Sequence, residues 1–317
     1  MATEGEARML NRLLAGADRY DCGNYLLELP NLNRSEILLD LAYDRLRRKF
    51  NAVHDLFMEA DENWNQTFYL MFFRTLGDKR NQTAYLTLAR RVSYAMVLRE
   101  RASLHNVEAL MFGCSGLLEL YEHDIYTLDL QRDFEYLAAK YDIEPMDAAE
   151  WDLTRIQPAN HPVLRLAQAA AFMVCHEFVM DRVLNCRATD DVANLFRVEA
   201  STYWSTHYLP ASTSSDIPKR IGAFKSNMLG INLVAIMQYA YGSYIASDVL
   251  RDRAVTLLER LEAEDNIYIR HWQAQGLMSR NAFESQALLQ LATEYCIEKR
   301  CEECPVGRRR IKCATED

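Results

Sequence analysis

Four cysteines stand close together near the end of the chain: Cys296, Cys301, Cys304 and Cys313, in the run YCIEKRCEECPVGRRRIKC. The gaps between them are four, two and eight residues. A two-residue gap lets a tight turn bring two thiolates to one ion about 2.3 Å away, and four thiolates suffice for tetrahedral zinc or a [4Fe–4S] cluster. Pro305 and Gly307 favour such a turn, and Arg308, Arg309, Arg310 and Lys312 place positive charge between the third and fourth thiols. Zinc is the preferred ion, acting as a structural staple for a tail too short to build its own core. The competing reading is a helix that ends at Cys296 and is followed by ordinary reduced thiols. A redox role for the central C-x-x-C is disfavoured, because no thioredoxin-like strand pattern surrounds it.

Two other polar clusters interrupt apolar sequence. Gln157-Pro158-Ala159-Asn160-His161-Pro162, followed by Arg165 and Gln168, gathers amide, imidazole and guanidinium groups at a helix start. A helix N-terminus with a nearby Arg can hold an anion such as phosphate. The plainer alternative is that Asn160 caps the helix and Arg165 pairs with an acid. The second cluster, Glu199 to Tyr208, concentrates Tyr203, Trp204, His207 and Tyr208. Aromatic groups with polar tips can stack bases or line a pocket, and they also serve as core. Asn160, Arg165, Gln168, Trp204 and His207 are therefore the candidate binding residues. Glu122-His123-Asp124 reads as a helix cap, and His176-Glu177 lacks the second histidine of a zinc-protease helix. No P-loop, dinucleotide-binding glycine pattern or nucleophile elbow occurs, so no catalytic set is named.

The elements that must position these groups read as helices. Only 11 glycines and 7 prolines punctuate 317 residues, and apolar side chains recur every three or four positions. Ile37, Leu38, Leu41, Ala42, Leu46, Phe50, Val53 and Phe57 form one such stripe, giving a helix over about 35–60 with Ser35 as its N-cap. Further helices are expected over 62–76, 82–99, 107–121, 128–141, 162–185, 190–196, 219–241, 247–263 and 279–298. Trp64, Phe68, Leu110, Phe112, Leu166, Ala170, Leu233, Ile236, Leu288 and Leu291 are the expected core. The strongest loop signal is LPASTSSDIP from Leu209 to Pro218. The fold class is all-α, a multi-helix bundle with a short cysteine-containing tail. Its divisions are 1–60, 61–295 and 296–317, with a boundary near 155 if the bundle is two helical halves.

Charge limits the partners. With 36 basic and 45 acidic residues the net charge is −9, which opposes non-specific nucleic-acid binding by the whole surface but leaves room for a local patch. The acid-containing N-terminus shows no apolar signal core, and no run approaches a membrane span, so a cytoplasmic location is expected. Eight cysteines there read as reduced thiols or metal ligands.

The cysteine spacing resembles the iron–sulfur loop of helical DNA glycosylases of the endonuclease III type, down to the proline in Cys304-Pro305. The chain departs from them at FGCSGLLEL, Phe112 to Leu120, which lacks their full glycine pattern and catalytic Asp. A broader resemblance rests on five runs: WNQTFYLMFFRTLGDKRN from Trp64, NVEALMFGCSGLLE from Asn106, QPANHPVLRLAQAAAF from Gln157, FRVEASTYWSTHY from Phe196, and SRNAFESQALLQLATEYCIEKRCEECPVG from Ser279. Together they resemble a bacterial family known only as a domain of unknown function, over most of 60–310. The resemblance implies a β-rich segment, loosely similar to PD-(D/E)xK nucleases, ahead of the helical region. This chain is expected to lack that segment; if the family's chemistry lies there, the protein has lost it or works beside a separate subunit. Gln157 stands where the family pattern tends to carry Arg, and the fourth cysteine varies.

The reading favoured by these features is a non-enzymatic helical scaffold that binds a protein partner or, locally, nucleic acid. The alternative is an enzyme of nucleic-acid repair or processing. A basic groove containing Arg165 or Arg308–Arg310 favours nucleic acid, a broad apolar patch favours a protein, and a buried acid in a cleft, with its pKa pushed up, favours an enzyme.

Overall fold

A computed structural model describes residues 22–316, with side chains through residue 310. The fold is all-α: 71% of it is helical, and the strands amount to one two-stranded hairpin. The helices are α1 (Cys22–Glu28), α2 (Asn31–Glu59), α3 (Trp64–Leu76), α4 (Asp78–Arg91), α5 (Tyr94–Glu100), α6 (Leu104–Ser115), α7 (Ile125–Tyr141), α8 (Pro162–Cys175), α9 (Val179–Asn185) and α10 (Thr189–Leu195). The hairpin β1 (His207–Leu209) and β2 (Ser212–Thr213) follows. Then come α11 (Ala223–Leu229), a π-helical turn (Gly230–Val234), α12 (Ala235–Tyr244), α13 (Asp248–Arg260), α14 (Ile267–Ala274), α15 (Ala282–Gln290), a second π segment (Leu291–Cys296) and α16 (Pro305–Glu316).

Local chemistry explains most of the boundaries. Asn63 caps α3 by accepting from the N–H groups of Asn65 and Gln66, and Ser103 caps α6 through Asn106. Asp124 and Thr127 form a reciprocal capping box at the start of α7. Gly116 ends α6 at φ 70°, where a Cβ would lie 2.5 Å from the Met146 carbonyl oxygen. Only glycine fits there.

Several boundaries differ from the periodic reading. The first long helix begins at Asn31, a turn before Ser35, directly after Pro30. The stretch 82–99 breaks at Val92-Ser93, because Ser93 turns extended and caps α5. The stretch 162–185 breaks at His176, whose extended backbone is held as Nε2 meets the Leu195 carbonyl oxygen at 3.1 Å. That is a tertiary contact with no local signature. Helix α1 falls within the first sixty residues, read as helix and loop, whereas α14, α16 and the hairpin fall where no specific helix or strand was expected.

Contacts divide the chain into two compact units. Of the described residues, one comprises 53–186 and 190–237; the other comprises 22–52, 187–189 and 238–316. Neither is contiguous in sequence. The first unit is built around aromatic rings. Phe72 stacks on Phe172 at 4.7 Å, Phe172 on Phe196 at 5.4 Å, and Phe68, Phe73, Leu110 and Leu166 are fully buried beside or beyond them. Of the expected core only Trp64 is half-buried, packed on Phe57 at 4.4 Å; the other nine are buried. In the second unit, Arg45 is buried, and Gln286 Oε1 accepts its Nε–H at 2.5 Å.

Candidate functional site

The two polar clusters singled out in the sequence come together in the first unit, where β1 packs against both α8 and the short 3₁₀ turn Pro158–Asn160. Helix α8 starts at Pro162, whose missing N–H is one of the first-turn donors that need no helical partner. The cap is His161, not Asn160: its Nδ1 accepts from Val163 N–H at 3.3 Å, and its Nε2 meets Tyr121 Oη at 3.0 Å. Burial lowers the His161 pKa to about 4, so the imidazole is neutral near pH 7.

Asn160 is thereby released for another task. Its Oδ1 accepts from Arg165 Nη2 at 2.7 Å, while Gln168 Oε1 accepts from Arg165 Nη1 at 2.8 Å. Arg165 is only 7% exposed and pairs with amides rather than with an acid. Gln168 in turn donates to the Lys219 carbonyl oxygen at 3.5 Å. The buried Lys219 ammonium gathers the carbonyl oxygens of Ser205 (2.9 Å), Ile217 (3.1 Å) and Ser215 (3.4 Å), and lies 4.2 Å from the Tyr208 ring centroid. A third buried cation, Lys225, binds the carbonyls that end α3, Leu76 (3.1 Å) and Thr75 (3.3 Å), and the Asp78 carboxylate at 2.7 Å. Burial lowers the pKa of both Arg165 and Lys225.

The result is an imbalance of charge. Among the described residues, Lys225 pairs with the Asp78 carboxylate, which also acts on Arg165 from further away, whereas the hydrogen bonds of Arg165 and Lys219 go only to neutral oxygens. Buried cations without counter-charge are costly, and an approaching anion relieves that cost.

Beside these cations stands a column of rings. Tyr126 stacks on Tyr203 at 3.9 Å and 15°, and Tyr203 stacks on His207 at 4.1 Å and 2°. The column ends on His207, which is half-buried and whose Nδ1 is held by Tyr203 O and Thr206 Oγ1. Tyr203 is fixed by its hydroxyl, which donates to Asp124 Oδ2 at 2.5 Å and accepts from Ala211 N–H. Trp204 takes a different position. It is 0% exposed, lies flat on Phe112 at 5.4 Å, and donates its Nε1–H to Tyr126 Oη at 3.2 Å. Trp204 therefore supports the column from within the core and presents no surface to a ligand.

One residue absent from the sequence reading sits behind the column. Glu108 is 1% exposed, and its Oε2 accepts from Tyr126 Oη at 2.9 Å. Burial raises its pKa to about 7, against the opposing pull of nearby Ser201, Tyr126 and Trp204. Ser201 is close enough to act on the carboxyl group, yet neither Ser201 Oγ nor Glu108 Oε1 completes a hydrogen bond of good geometry. Nothing in the run NVEALMF marks Glu108 as deeply buried; only the return of Tyr126 and Trp204 to α6 does so.

The cysteines lie in the other unit. Cys296 ends the second π segment, Cys301 is half-buried in the following turn, and the buried Cys304 stands immediately before α16. Cys313 is nine positions further, a rise of about 13 Å along an intact helix, and its side chain lies outside the described residues. Among the described residues, no group of three or more His, Cys, Asp or Glu is gathered as for a metal. In the same unit a cavity of about 410 Å³ is lined by Leu26, Leu27, Arg34, Leu277, Arg280 and other residues. No single described helix is long and apolar enough to cross a membrane.

A comparison with protein families matches residues 3–267 to the family described as "Protein of unknown function (DUF2851)". The match covers both polar clusters and stops before the cysteines. No curated protein and no solved structure matches the chain.

Proposed function

The chain belongs to that family, whose description names no activity, and from the geometry of the site we propose that it is a non-enzymatic helical binding domain that contacts single-stranded nucleic acid locally. The observation that carries this reading is the juxtaposition of two buried cations, Arg165 and Lys219, that hydrogen-bond only to neutral oxygens, with a ring column ending on His207. A base adds one more ring to the column, while its phosphate approaches the start of α8, where Arg165 and Asn160 meet. Base–aromatic stacking contributes about 1–3 kcal/mol per base and tolerates any sequence. The net charge of −9 keeps the rest of the surface from competing.

The test is fluorescence anisotropy of a labelled oligothymidylate at several salt concentrations. The expected plot of log affinity against log salt falls with a slope of about −0.7 per phosphate contacted. His207→Ala is expected to weaken binding about tenfold, the loss of one stacked base. Arg165→Met is expected to weaken it and flatten the slope by about one phosphate. Binding that is absent at low salt, or unchanged in both variants, overturns the proposal.

A second reading has its own support. Ile125, Leu128 and Tyr136 are exposed and lie along one side of α7, an apolar stripe suited to a protein partner. Under that reading Ile125→Glu abolishes association with a protein while oligothymidylate has no measurable affinity.

A further inference from the structure

The turn before α16 has a geometry that the C-x-x-C pattern alone did not reveal. Cys304 N–H is shared between the Arg300 carbonyl oxygen at 3.1 Å and the Cys301 carbonyl oxygen at 3.3 Å, the second bond closing a turn across the two cysteines. Such a turn holds its end Cα atoms less than about 7 Å apart, which overlaps the roughly 4.4–6.8 Å that a disulfide spans. Gly307 makes the turn possible. A Cβ there would lie 2.0 Å from the Cys301 carbonyl oxygen, so the first turn of α16 rests directly on the Cys301 backbone. The two thiols are also unequal. Cys301 is half-buried and reachable, whereas Cys304 is 3% exposed and sits where a 12-residue helix begins.

We propose that Cys301 and Cys304 form a reversible dithiol–disulfide pair that exchanges with small-molecule disulfides of the glutathione class. The Cys301 thiolate attacks one sulfur of the small disulfide, forming a mixed disulfide and releasing one thiolate. The Cys304 thiolate then attacks the Cys301 sulfur, closing the intrachain disulfide and releasing the second thiolate. The two protons lost by the protein end on the two small thiols. Two electrons pass from the dithiol to the reagent, and no further oxidant is required. The product staples the start of α16, which packs on α1 in the same unit.

This proposal is independent of the nucleic-acid reading, and its test uses the full chain in mixtures of reduced and oxidised glutathione. Arg300 and Arg308 flank the pair, so trypsin releases both cysteines in the peptide CEECPVGR. After alkylation under denaturing conditions, that peptide is expected to change from a form carrying two alkyl groups to an unalkylated form two hydrogens lighter than the free dithiol as the mixture becomes oxidising, and to revert when dithiothreitol precedes alkylation. Cys304→Ser is expected to trap glutathione on Cys301, with a mixed disulfide at least about ten times longer-lived than in the parent. Cys301→Ser is expected to leave Cys304 unmodified, and unchanged circular dichroism shows that both variants fold. The proposal is overturned if both cysteines stay fully alkylatable in the most oxidising mixture, or if either pairs with another cysteine. It is equally overturned if purified protein carries stoichiometric zinc that blocks both thiols until chelated.

Discussion

Replacing Trp204 by Ala is expected to lower unfolding stability by about 3–5 kcal/mol, measured by urea titration followed by circular dichroism. The side chain is wholly buried, lies on Phe112, and meets Tyr126 and Tyr203 edge-on. Its removal leaves a cavity under the ring column and strips Tyr126 Oη of its Nε1–H donor. His207, at the other end of the column, is half-buried, and its loss is expected to cost less than about 1 kcal/mol. The contrast separates two residues that look alike in the run STYWSTHY. Similar costs for both variants contradict the assignment of one as support and the other as contact.

Glu108 sets a pH dependence of comparable size. In the folded chain its carboxyl keeps a proton up to about pH 7, against an ordinary value of 4.5. Between those values the folded state binds more protons than the unfolded state, so this group's contribution to stability falls as pH rises. The decline begins near pH 4.5 and levels off above about pH 7, with a total of about 3 kcal/mol. Glu108→Gln keeps the shape and the acceptor for Tyr126 while removing the titration. The variant is expected to match the parent below pH 4.5 and to exceed it by up to about 3 kcal/mol above pH 7. Carboxyls with lowered pKa, such as Glu100 and Asp124, affect both proteins equally and cancel in the difference. A difference that does not change with pH contradicts the burial of this acid.

How much of this was legible beforehand depends on the range of the interactions. Helical class follows from three- and four-residue apolar spacing, and the nine buried members of the expected core lie on such stripes. The cap at Asp124 was readable because its partner, Thr127, is three residues away. The break at His176 was not, since AFMVCHEF contains neither glycine nor proline and the cause lies at Leu195. The hairpin inside the Pro-bounded loop is too short for strand alternation, and Lys219 gathers the loop around it from outside. Asn160, Arg165, Gln168 and His207 were visible as polar groups in apolar company. Local sequence favoured an acid for Arg165 and a cap for Asn160, whereas the fold makes them partners of each other. Trp204 carries the same aromatic signal as His207 and lies in the core. The compact units interleave segments far apart in sequence, which loop composition does not encode.

The most direct test of the proposed contact is photocrosslinking of a 4-thiothymidine oligonucleotide to the full chain, with the adducts mapped by mass spectrometry after trypsin digestion. The account predicts adducts on the peptide spanning 198–219, which carries His207 and Tyr208, and on the peptide spanning 156–165, which carries Asn160 and Arg165. Both adducts are expected to disappear in His207→Ala with Arg165→Met, where the second tryptic peptide runs from 156 to 182. Adducts confined to the basic run Arg308–Arg310, or no adducts at an oligonucleotide excess, would contradict it.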